Sequence, residues 1–68
     1  GVASSDMSYH TIGYAFDLNT EVYKPNTKEY ETISKILRKA GWVNNVEGEW
    51  WHWSLEPGSV NQYTGEIL

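Results

Sequence analysis

No cysteine occurs in the 68 residues, so no disulfide can brace a chain too short to bury a large core. A bound metal is another brace, because metal binding adds to folding free energy when the unfolded chain holds no site. Histidine and proline are scarce too, with two copies each. Positive charge is in deficit: five Lys and Arg against nine Asp and Glu give a net charge of −4 and a pI near 4.9. Nucleic-acid binders carry a basic face. Here Lys28, Lys35, Arg38 and Lys39 fall in one helical stretch, the ordinary solvated side of a helix, so nucleic acid is excluded as a partner. No apolar run nears the roughly 20 residues of a membrane helix. Residues 1–5 lack an initiator methionine and read as a chain entered mid-stream, so the lack of a visible leader decides nothing about compartment.

Aromatic residues, by contrast, are plentiful: four Trp, five Tyr and one Phe. Core filling accounts for most of them. Trp50, Trp51 and Trp53, however, exceed what one buried face absorbs, so at least one is expected to face a groove, a partner or a missing part of the protein.

Along the chain, Ile12, Tyr14, Phe16 and Leu18 alternate with Gly13, Ala15 and Asp17, the period-two pattern of a half-buried strand. One face is bulky. The other carries two small residues and then a carboxylate, with room above it. The bland alternative for Asp17 is a strand-end residue turning toward Leu18, Asn19 and Thr20. After a loop at Pro25, Asn26 followed three residues on by Glu29 has capping-box spacing. Tyr30, Ile33, Ile36, Leu37 and Ala40 follow at helical intervals, predicting a helix with one stripe on the sheet. Lys35, Arg38 and Lys39 suit its C-terminal end, and Gly41 suits a left-handed cap. Trp42 and Val43 can open a strand, and residues 44–48 have turn composition. Residues 50–55 form a second expected strand, with Trp51, Trp53 and Leu55 on one face and Trp50, His52 and Ser54 on the other. The tail from Val60 is weakly patterned.

Four of these residues can carry chemistry together. Catalytic zinc takes three protein ligands and keeps a fourth position for water. Taken singly, His10 and His52 each read as packed histidines beside apolar neighbours. If His10 and Asp17 share one ion, the chain must bend between them, since seven residues of straight strand span about 23 Å. Gly13 is where it bends at least cost. Glu49 and His52 lie three apart and would face opposite sides of a regular strand. Both serve one site only if Glu49 belongs to a loop or bulge, which Gly48 favours. Glu49 would then be a general base, against the bland alternative of a solvated loop carboxylate. Glu47 is a weaker competitor.

Ser8-x-His10-x-x-Gly13-x-Ala15-x-Asp17 followed by Glu49-x-x-His52 resembles the signature of zinc D-alanyl-D-alanine carboxypeptidases and dipeptidases. These are peptidoglycan metallopeptidases related to lysostaphin-type enzymes and to the hedgehog signalling domain. The resemblance spans residues 7–56. It implies that His10, Asp17 and His52 bind zinc, that Glu49 is the catalytic base, and that Ser8 helps bind substrate. It implies an α+β fold: a small antiparallel sheet with one packed helix, and the metal on the concave sheet face. Two departures stand out. Trp50 follows Glu49 where many members have proline, and falls where it can shape the substrate cleft. The family's N-terminal helices and oxyanion arginine have no counterpart before Ser8, and the only arginine, Arg38, lies on the helix.

The expectation is therefore one domain over residues 1–68, a zinc-peptidase core, either minimal or completed by a missing N-terminal segment or a second chain. The expected activity is hydrolysis of peptidoglycan stem peptides, with Zn2+ as cofactor, in the cell wall, periplasm or secreted medium. The alternative is a non-catalytic, zinc-stabilised binding or signalling module of hedgehog type. A small α+β domain without metal is the third reading.

Overall fold

A computed structural model describes residues 14–68. Their elements run β1 (Ala15–Asp17), α1 (Lys28–Lys39) and β2 (His52–Ser54). The two strands pair antiparallel, with Ala15 opposite Ser54, Phe16 opposite Trp53 and Asp17 opposite His52. The fold is α+β, as expected. Residues 12 and 13 of the expected first strand lie outside the described residues.

Apolar area set the register. Phe16 and Trp53 face each other on the inner side, and Trp53 is fully buried. Leu18, next on that face, is buried as well. A slip of one residue would carry the inward set to solvent, so burial of these side chains holds the alignment. Arg38 lies over the Trp53 ring at 5.1 Å, and Trp42 meets Phe16 edge-on at 5.0 Å. Val43 forms a single bridge to Ser54 on the outer edge of β2, in place of a longer strand from Trp42.

The second strand is shorter than its pattern suggests. Trp50 and Trp51 lie in a turn, and alternation begins only at His52. Trp50 stacks edge-on with Tyr30 at 5.8 Å and with Trp51 at 5.4 Å. Trp50 thus packs on the helix through Tyr30, while the Trp51 carbonyl still accepts the Leu18 amide at 2.8 Å.

The helix starts one residue later than the capping-box spacing implies. Thr27 is the cap, and its Oγ1 accepts the amide of Tyr30 at 3.2 Å. Asn26 instead takes a left-handed φ of 66°. At the other end Gly41, with φ 101°, donates to the Arg38 carbonyl at 3.0 Å, and Trp42 donates to Leu37 at 2.9 Å. That pair of bonds is a Schellman cap. The expected inward stripe is only partly realised. Tyr30, Ile33, Leu37 and Ala40 are half-buried, whereas Ile36 is 46% exposed. The tail folds back through a bridge between Val60 and Ile67, and Gln62 donates to the Lys39 carbonyl at 2.8 Å. No helix among the described residues is long and apolar enough to cross a membrane.

Candidate functional site

Backbone bonding decides which side chains meet. Leu55 donates to Tyr14 and Leu18 donates to Trp51, both at 2.8 Å. In an antiparallel ladder bonded and non-bonded pairs alternate, so Asp17 and His52 form a non-bonded pair. Such pairs bring the Cα atoms closest, about 4.5 Å apart. Directly opposed residues share a face, so Ala15 and Ser54 lie on the same side as Asp17 and His52. Beside the pair, Ala15 is half-buried and Ser54 is buried.

The result is contact between side chains 35 residues apart: His52 Nδ1 lies 3.0 Å from Asp17 Oδ1. The Asp17 side chain is 53% exposed and that of His52 14%, so the pair opens to solvent from the carboxylate side. Asn19 makes the turn after β1 by accepting the Glu21 amide on its side-chain oxygen at 2.9 Å. Asp17 is thereby left to the sheet face.

Can this pair hold zinc? Its donors are an imidazole nitrogen and a carboxylate oxygen, both within zinc's ligand set. Two donors at zinc's bond lengths across a tetrahedral angle stand roughly 3.3 Å apart, close to the 3.0 Å observed. The donor types and spacing therefore fit. The same spacing is that of a hydrogen bond, through which the carboxylate orients the ring. Among the described residues no group of three or more His, Cys, Asp or Glu side chains comes together. His10, the third expected ligand, lies outside the described residues, as do Ser8 and the bend expected at Gly13.

Glu49 sits in the turn that leads into β2, and among the described residues its carboxylate forms no metal-holding group with Asp17 and His52. The His52 amide donates to the Glu49 carbonyl at 3.1 Å, and the Glu49 amide donates to Val46 at 3.1 Å. Gly48 enters the turn with φ 81°, a left-handed conformation that glycine adopts without cost. Glu49 is half-buried, and Glu47 is exposed. Trp50 packs on Tyr30 and borders a shallow hollow with Asn44, Val46 and Gly48.

Two residues around this turn carried no functional signal in the sequence. Asn44 directs its side-chain Nδ2 at the carbonyls of Glu49, Trp50 and His52, at 3.2, 3.1 and 2.7 Å. Tyr30 donates its hydroxyl to the Trp50 carbonyl at 2.8 Å. Asn44 reads as loop composition and Tyr30 as part of a helical stripe. Nothing in their spacing reveals a common target on residues 49–52.

No protein-family model matches the chain, and no curated protein or solved structure matches it.

Proposed function

We propose that this chain is the core of a zinc peptidase that hydrolyses peptidoglycan stem peptides, of the D-alanyl-D-alanine carboxypeptidase type. The observation that carries the reading is the Asp17–His52 pair, in which a carboxylate and an imidazole from distant motifs meet at 3.0 Å on one sheet face. The resemblance in the motif residues supports the rest: His10 as third ligand, Glu49 as base, and Ser8 and Trp50 as substrate contacts.

Zinc, when bound, supplies Lewis-acid polarisation of the scissile carbonyl and lowers the pKa of a water. His10, Asp17 and His52 would hold it. Glu49 would accept the proton of the attacking water and return it to the leaving amine. Trp50 offers an apolar wall beside the turn. A cell-wall substrate implies action in the wall, the periplasm or the secreted medium.

One observation favours the alternative, a non-catalytic zinc-stabilised module of hedgehog type. Arg38, the only arginine, is held over Trp53 at 5.1 Å, a residue of the sheet face opposite Asp17 and His52. Oxyanion contacts typically contribute several kcal/mol of barrier lowering.

The test is cleavage of a stem peptide ending in D-Ala-D-Ala by zinc-loaded protein, with metal content measured alongside. The enzyme reading expects release of D-Ala, reduced about 100- to 10,000-fold in Glu49→Ala, with zinc retained. Zinc binding without cleavage favours the module. No zinc uptake overturns both.

A further inference from the structure

We propose that Asn44 is the positioning residue of this site: its side-chain amide sets the path of the Glu49–His52 turn, and thereby where the carboxylate and the imidazole stand relative to Asp17. The purpose of this arrangement rests on the zinc-peptidase reading. Its geometry rests on the hydrogen bonds alone.

The argument begins with the edge of the sheet. Val43 exchanges both backbone bonds with Ser54, at 2.8 and 2.9 Å. In a continuing antiparallel ladder the next bonded pair would be residues 45 and 52, two steps along each strand. The chain leaves the sheet instead, and the outward carbonyl of His52 loses that backbone partner. Asn44 Nδ2 takes its place at 2.7 Å. The same nitrogen also reaches the carbonyls of Glu49 and Trp50. A carboxamide has two N–H donors, so one hydrogen is shared, and the three carbonyls are gathered around a single point.

That gathering bears on function because Glu49 and His52 cannot face one site from a regular strand. Only the turn allows it, and Asn44 bonds both ends of the turn. The neighbouring Asn45 supplies a built-in control. Its Nδ2 donates to Glu56 Oε2 at 2.7 Å, away from the turn.

The experiment compares wild type, Asn44→Ala and Asn45→Ala. Zinc affinity is measured by competition with a chromophoric chelator, and the imidazole 15N shifts of His52 are recorded in the metal-free proteins. Asn44→Ala is expected to lose zinc affinity about 10- to 100-fold, the usual effect of removing a group that orients a ligand, and to move the His52 ring resonances. Asn45→Ala is expected to leave both in place. Unchanged affinity and resonances in Asn44→Ala overturn the proposal, as do equal changes in Asn45→Ala. Should wild type take up no zinc, the zinc reading fails, and the His52 resonances of the metal-free proteins decide the positioning role alone. If Asn44→Ala does not fold, Asn44→Ser, which keeps one donor, carries the same comparison.

Discussion

His52 and Asp17 face each other across the sheet at positions that share no backbone hydrogen bond, with His52 Nδ1 3.0 Å from Asp17 Oδ1. The closeness follows from the parity of the ladder, and the ladder is aligned by the burial of Trp53 and Leu18 on the opposite face. Core packing on one side of the sheet thus sets the geometry of the pair on the other.

If that pair holds zinc, metal and fold are linked. Free zinc at about 100 times its dissociation constant stabilises the folded state by about 2.7 kcal/mol. In a domain this small, that amounts to about 10–20 °C in Tm. Chelator added to zinc-loaded protein is expected to lower Tm by that much in calorimetry, and Asp17→Ala and His52→Ala are each expected to abolish the shift. A chelator effect that survives both substitutions would put the metal elsewhere.

Among the described residues, Gly41 is the glycine least open to replacement. Its φ is 101°, and an added Cβ would stand 3.0 Å from the Val60 carbonyl oxygen. Left-handed backbone alone costs an L-residue about 1–2 kcal/mol, and the contact with the tail adds to it. Gly48 has φ 81° but open space around it. Urea denaturation is expected to rank Gly41→Ala below Gly48→Ala in stability, and Gly48→Ala below wild type.

The two candidate helix caps separate cleanly. Thr27→Ala removes the side-chain acceptor for the Tyr30 amide and is expected to cost about 1 kcal/mol. Asn26→Gly suits a residue at φ 66° and is expected to leave stability nearly unchanged. Thermal melts followed by far-UV circular dichroism distinguish them. A larger loss in Asn26→Gly would return the cap to Asn26.

Trp53 is the fully buried side chain on which the sheet closes. Trp53→Ala is expected to cost about 3–5 kcal/mol, a large part of the stability of any small domain. Trp53→Phe is expected to cost much less. The indole Nε1 is buried without an acceptor among the described residues, so its removal relieves an unmet donor. Chemical denaturation of the two variants gives the comparison.

Local order determined the elements. Alternation at Phe16, Asp17 and Leu18 marked a strand, the spacing of Tyr30, Ile33 and Leu37 marked a helix, and Gly41 marked its end. Each signal works within a few residues, where backbone geometry and side-chain period are enough. The pattern also put Ala15 with Asp17 on one face and His52 with Ser54 on one face. What it left open was whether those faces coincide. That depends on register, which is decided by which inward side chains bury together, a property of two segments at once. The strand expected to begin at Trp50 begins at His52 instead: Trp50 lies in a turn, and its carbonyl accepts the hydroxyl of Tyr30, twenty residues away. Asn44 was illegible in principle, because an amide in a polar loop has no period, and its three carbonyl partners are defined only once the chain has turned back on itself. Sequence alone therefore determined the helix, the cores of the two strands, and the faces that pair Ala15 with Asp17 and His52 with Ser54. Tertiary structure alone decided that Asp17 meets His52, and that Asn44 and Tyr30 hold the turn that carries Glu49, because both outcomes arise from long-range packing and not from neighbours in the chain.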